Sequence, residues 1–200
     1  MCGRFVIGGD FRDKLDELIK AEDIVPSFLP YKRSGQDVFP SDSSVVIHAD
    51  GSRLSAGDMF WGFNNPYRKG LIINARAETV REKNLFADSI MNRRCIIPAS
   101  GFYEWDRYKA RFRFSDPENE LILLAGIYHE EHGKYHYTIL TAQANESMQP
   151  VHDRMPLMIG RDEINTWIRE NERVSEFLTR PQIQLVCEQD SGQIRMDFGF

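Results

Sequence analysis

A cysteine stands directly behind methionine in the opening MCGRF, and its side chain is small enough for Met1 to be trimmed away. Trimming would leave Cys2 with a free α-amine and a thiol on one residue, a 1,2-aminothiol that no other amino acid supplies. Three further segments carry ionisable or amide groups framed by core-like residues. In LIINARAET, Asn74, Arg76 and Glu78 alternate with small or apolar residues. In IIPASGFYEW, Glu104 sits between the aromatics Tyr103 and Trp105; in PVHDRMPLMI, the triplet His152-Asp153-Arg154 lies between two prolines. The set holds a thiol nucleophile, an amide, a carboxylate in apolar surroundings and an imidazole, which are the parts for nucleophilic and acid–base chemistry.

Each part also has a plainer structural reading. Position 2 tolerates nearly any residue, and Asn74 can satisfy a bulge. Glu104 can pair with a nearby arginine, and His152 can be a hydrogen-bonded histidine where a strand begins. Spacing along the chain does not show that the four converge.

The elements that must position them follow from periodicity. Phe11, Leu15, Leu18 and Ile19 fall on one face of a helix over residues 11–22. A loop rich in Pro, Ser and Gly is expected from Pro26 to Ser44, then strands at VVIHA, DMFWGF and LIINAR. ETVREKNLFADSIMN reads as helix, and CIIPASGFYEW as a buried strand that breaks at Pro98 and turns near Gly101. ARFRFS, LILLAGIY, YHYTILTA and IQLVCE read as strands, with EEHGK as a hairpin turn between the second and third. RDEINTWIRE and VSEFLTR read as short helices. The mixture predicts an α+β fold of mainly antiparallel strands in one domain over residues 1–200.

Composition narrows the class. The chain has 200 residues, 42% hydrophobic and 28% charged, enough for one domain with a sizeable core. It shows no membrane-length apolar run and no secretory leader, so a cytoplasmic protein is expected. Three scattered cysteines suit neither a zinc module nor a disulfide framework. Cys95 and Cys187 lie in aliphatic runs and are expected in the core. His48, His129, His132 and His136 show no metal spacing, and Trp61, Trp105 and Trp167 read as packing residues. The formal charge of −5 argues against a bulk nucleic-acid binder, yet residues 66–113 carry +6 between acidic flanks. Local potential of that kind can make one positive face.

MCGRF, NARAET, CIIPASGFYEW and HDRMPLMI, in that order over residues 1–160, resemble the SOS response-associated peptidase (SRAP) family, whose members crosslink themselves to abasic DNA. The resemblance implies a β-rich, barrel-like α+β domain with a positive groove for single-stranded DNA, working as a monomer without metal or organic cofactor. It implies self-removal of Met1 and a nucleophilic Cys2 supported by Asn74, Glu104 and His152. Arg4, Arg76 and Arg154 look like the family's phosphate-contacting residues. The chemistry fits these residues independently. A ring-opened abasic sugar is an aldehyde, which condenses with the α-amine of Cys2 to a Schiff base. The thiol then closes a five-membered thiazolidine. An α-amine of pKa about 7.7–8.0 and a thiol of about 8.5 are both partly reactive at neutral pH.

Two departures stand out. The loop after Trp61-Gly62 reads NNPYRKG, where Tyr67 is the only aromatic and Arg68 and Lys69 supply charge, so less stacking and more phosphate attraction are expected. The segment Asp37-Val38-Phe39-Pro40 keeps only the proline of the family's N-x-A-P pattern. Two alternatives remain: an amidohydrolase with a terminal cysteine nucleophile, and a binding module without chemistry.

Overall fold

Residues 122–128 are buried without alternation, a pattern that requires a strand covered on both faces. The computed structural model, which describes residues 3–27, 36–118 and 120–190, supplies that cover. The first half runs β1 (Phe5–Ile7), α1 (Phe11–Ala21), β2 (Val25–Pro26), β3 (Gln36–Val38), β4 (Ser43–Asp50), β5 (Arg53–Trp61), β6 (Phe63–Asn64), β7 (Leu71–Ile72) and β8 (Asn74–Arg76). The second half runs α2 (Asn84–Asn92), β9 (Arg94–Ala99), β10 (Gly101–Trp105), β11 (Arg111–Ser115), β12 (Ile122–Glu131), β13 (Lys134–Gln143), β14 (Arg154–Pro156), α3 (Ile164–Arg169), α4 (Val174–Thr179) and β15 (Val186–Gln189).

The neighbour sequence β13-β12-β9-β4-β5 closes on itself, because β5 pairs back to β13 through Phe60↔His136 and Trp61↔Tyr137. That closure makes a five-stranded barrel and removes its open edges. Only this closing pair is parallel within the ring. A second sheet, ordered β15-β11-β10-β1-β3, packs through Phe5, Phe102 and Phe114 into the same core. The fold is α+β and mainly antiparallel, as predicted. Arg94, 2% exposed, ties helices to barrel by donating to the carbonyls of Ile90 and Met91 at the end of α2 and of Trp167 and Ile168 in α3. Those are the last-turn acceptors a helix leaves unsatisfied. Among the described residues no helix is long and apolar enough to cross a membrane.

Several local expectations are corrected. The predicted loop 26–44 contains β3, paired with β1 as Val38↔Phe5; residues 28–35 of it lie outside the described residues. Helix α2 begins at Asn84, since Lys83 is extended and residues 79–83 form turns. Pro98 does not break the strand. It pairs with Leu123 on one side, and on the other side the β4 partners stop at Ile96, so no ladder needs its missing N–H. The break falls at Ser100, where the chain leaves the barrel for the second sheet. Gly101 turns this corner at φ 153°, and a Cβ there would lie 2.5 Å from the Phe114 carbonyl oxygen. The expected hairpin at EEHGK is present, with positive φ at both His132 and Gly133 as its tight turn demands.

Candidate functional site

Strand alternation decides which way Glu104 points. On β10, Phe102 pairs with Phe5 and Phe114, and Glu104 pairs with Phe112. Residues two apart share a face, so Glu104 lies on the core side with Phe102, and it is 4% exposed. Tyr103 and Trp105 take the outer face. The β1–β10 pairing continues one step beyond Phe5, with Tyr103 N–H donating to the Arg4 carbonyl at 2.9 Å. Cys2 itself lies outside the described residues.

Arg4 is 22% exposed and holds Asp37 in an ion pair. Its guanidinium carbon lies 4.9 Å from the Phe39 ring centre and 5.0 Å from that of Tyr103, a cation–π sandwich. The Asp-Val-Phe-Pro departure thus has a local role: its acid and its aromatic both hold Arg4.

Asn74 and Arg76 come from β8, which runs parallel to β13 with Ile139↔Asn74 and Thr141↔Arg76. Beyond the barrel closure, the end of β13 carries β8 on one edge and β14 on the other, where Gln143 pairs with Arg154. The NARAET and HDRMP segments therefore flank one strand. Arg154 fastens them: its Nη1 and Nη2 donate to Glu78 Oε1 and Oε2 at 2.6 and 2.9 Å, and Nη2 also reaches the Thr141 carbonyl at 2.5 Å. The paired guanidinium holds the Glu78 carboxyl below its ordinary range.

His152 is set by this clamp. Its Nδ1 accepts the Arg154 backbone N–H at 2.9 Å and lies 2.9 Å from Asp153 Oδ1. A backbone N–H can only donate, so a neutral ring carries its proton on Nε2; a protonated ring can turn Nδ1–H to Asp153. The imidazole has a fixed partner in either state.

A groove of about 630 Å³ opens where β7, β8 and the start of α2 meet, lined by Tyr67, Asn74, Arg76 and Lys83. Tyr67 is 85% exposed at the tip of the β6–β7 hairpin, beside the exposed Arg68 and Lys69. Asn74, Arg76 and Tyr67 thus share one groove. Glu104 lies on the second sheet, and Trp61 joins β1 of that sheet to the segment that carries Asn74.

Trp61 is fully buried, packs 5.2 Å from the Phe5 ring, stacks on Tyr137 at 6.4 Å, and donates Nε1–H to the Ile73 carbonyl at 3.0 Å. One side chain therefore connects the strand that follows Cys2 to the residue before Asn74. The sequence pattern marks Trp61 for packing, and its burial agrees; the bridging role has no local signal beyond an indole, which needs an acceptor when buried. Trp167 is likewise buried, while Trp105 is 37% exposed on the outer face. Cys95 is buried, but Cys187 is exposed on β15, the edge of the second sheet. The core expectation for Cys187 fails because β15, whose one partner among the described residues is β11, is exposed along its length.

A closed barrel with a second sheet packed into its core is a known architecture. A phage-related protein from Bordetella bronchiseptica has the same fold, with a TM-score of 0.76 at 20% identity, covering 95% of this chain and 94% of that one. The chain belongs to the family described as SOS response associated peptidase (SRAP), which it matches over residues 1–192. Its relatives include the abasic site processing protein YoaM of Bacillus subtilis, 34% identical over 89% of this chain and 83% of the relative. The abasic site processing protein YedK of Escherichia coli is 28% identical over 85% and 80%.

Proposed function

We propose that this protein processes abasic sites in single-stranded DNA by forming a thiazolidine crosslink through Cys2 once Met1 is removed. The observation that supports this most is the pairing of β1 with the Glu104 strand. The Tyr103–Arg4 hydrogen bond is two residues from Cys2 on one strand and one residue from Glu104 on the other. Covalent geometry tethers the Cys2 Cα within about 7.6 Å of the Arg4 Cα. The names of the relatives support the same substrate.

In this reading the α-amine of Cys2 adds to the C1′ aldehyde of the ring-opened sugar and expels water, forming an imine. The thiol then adds across the C=N bond, its sulfur to carbon and its proton to nitrogen. One water is lost overall and nothing is oxidised. Glu104 moves the proton during sugar opening and dehydration, and its seclusion from water suits that task. His152 serves the ring oxygen through Nε2, and Asn74 orients the amine or the sugar. Arg76, Tyr67, Arg68 and Lys69 attract the strand in the groove. Arg4 and Arg154, held by Asp37 and Glu78, would contact phosphate by sharing or exchanging those carboxylates. Removal of Met1 and strand cleavage through the imine are part of the same proposal.

The test is an oligonucleotide with one abasic site, incubated with the purified protein and run on a denaturing gel beside intact-mass measurement. A band of retarded DNA, lost in Cys2→Ala and heavier by one protein less one water, is expected. An adduct that persists in Cys2→Ala, or none with Met1 absent, would falsify the reading. Turnover of a small amide without adduct would favour the amidohydrolase instead.

A further inference from the structure

Directly after Glu104 and Trp105, β10 turns into β11 through Asp106-Arg107-Tyr108-Lys109-Ala110. The stretch 105–113, WDRYKARFR, holds four cations and one acid. The turn consumes that acid internally. Asp106 Oδ1 accepts the backbone N–H groups of Tyr108 and Ala110, each at 2.8 Å. The Asp106 N–H donates to the Ala110 carbonyl at 3.0 Å, and the Lys109 N–H donates back to the Asp106 carbonyl while its φ of 67° completes the bend. With its carboxylate turned onto its own backbone, the tip presents Arg107, Tyr108 and Lys109 outward on a fixed frame. Tyr108 is 74% exposed, and the Arg107 guanidinium sits 4.9 Å from its ring centre.

An exposed ring on a rigid, positively charged tip is the combination that binds single strands. The ring offers a face to any base, and the cations meet phosphates. Its position gives it a place on the strand. The outer face of β10 and β11 continues from the tip through Trp105 and Arg111 to Tyr103, which Arg111 covers at 5.0 Å, and to Arg4. We propose that the β10–β11 tip is a second single-stranded DNA contact, binding nucleotides on the side of the lesion away from the Tyr67–Arg76 groove. This rests on the abasic-DNA reading and extends it: the strand would be held at two stations with the Glu104 strand between them. A fixed tip loses little freedom on binding, so its contacts convert efficiently to affinity.

The experiment uses the full-length protein, fluorescence anisotropy and single strands carrying a tetrahydrofuran abasic analogue that cannot crosslink. The analogue is placed centrally or near either end. Tyr108→Ala is expected to weaken binding at least about fivefold, the lower bound for one stacked base. Arg107→Gln with Lys109→Gln should also lower the salt slope by about 1.4, or about 0.7 for each phosphate of a single strand that is no longer neutralised. The loss should vanish for strands shortened on one particular side. Crosslinking to a true abasic site at saturating DNA should keep its wild-type rate, which shows an intact fold and reaction. Unchanged affinity and slope in variants that still crosslink would overturn the second contact and leave the proposed function standing. A wild-type protein that neither binds nor crosslinks would overturn both. Equal losses whichever side is shortened would also overturn it.

Discussion

Replacing Trp61 with phenylalanine separates packing from positioning. The substitution keeps an aromatic ring against Phe5 and Tyr137 but removes the Nε1–H that reaches the Ile73 carbonyl at 3.0 Å. That carbonyl retains the Ile139 N–H at 3.2 Å, so no buried acceptor is orphaned and the hydrogen-bond loss is the ordinary net value of about 1 kcal/mol. The narrower ring leaves a small void, adding about 1 kcal/mol at ~24 cal/mol per Å³. The sum, about 2 kcal/mol, corresponds to a fall in Tm of about 4–8 °C for a chain of this size. The effect on chemistry should be larger than that. Trp61 is the described link between β1 and the residue before Asn74, and a shift of about 1 Å between reacting groups can cost up to a hundredfold in rate. Thermal melts and single-turnover crosslinking, the latter run well below the variant's Tm, measure the two effects on one sample. A drop in Tm of the stated size with a wild-type crosslinking rate would refute the positioning argument and leave Trp61 as core.

Two further outcomes follow from the described contacts. Glu78→Gln keeps the shape of the Arg154 clamp but removes its charge; because Glu78 is 48% exposed, the loss at neutral pH should be only about 0.5–1 kcal/mol in urea unfolding. The wild-type carboxyl is held low by Arg154, so its stabilisation is complete above its ordinary range near 4.5 and disappears as pH falls through the lower folded value. A wild-type-to-variant gap that stays constant from about pH 7 to about pH 3 would rule the ion pair out as its source. Thiol labelling followed by peptide mapping should modify Cys187 in the native protein and Cys95 only after denaturation. Cys95 is fully buried, with burial pushing its thiol well up, whereas Cys187 is on an open edge. Comparable native rates at both residues would contradict the burial described.

Local pattern made much of this fold legible. The Phe11-Leu15-Leu18 spacing marks α1, and His132-Gly133 marks a hairpin. Features that depend on distant partners were not legible. Gln36-Asp37-Val38 has no strand signature and becomes β3 because β1 offers an edge. Cys187 sits in a run that reads as core, yet its strand ended at a sheet margin. Residues 78–83 have helical composition, but turns and the Arg154–Glu78 clamp hold them otherwise. For the candidate site, residue types and motif order single out Asn74, Glu104 and His152 as candidate chemical groups. Their supports, Trp61, Glu78 and Thr141, act through contacts across the barrel that no local period encodes.

The central position of β1 has a consequence for timing. One of its edges can be met as soon as β3 is made, but the other waits for β10, roughly sixty residues later, an interval of about 3–13 s at 5–20 residues per second of synthesis. Throughout that interval the strand leading from Cys2 has no Glu104 beside it. The buried carboxylate and the strand that lies beside it are brought together only when the second half of the protein arrives.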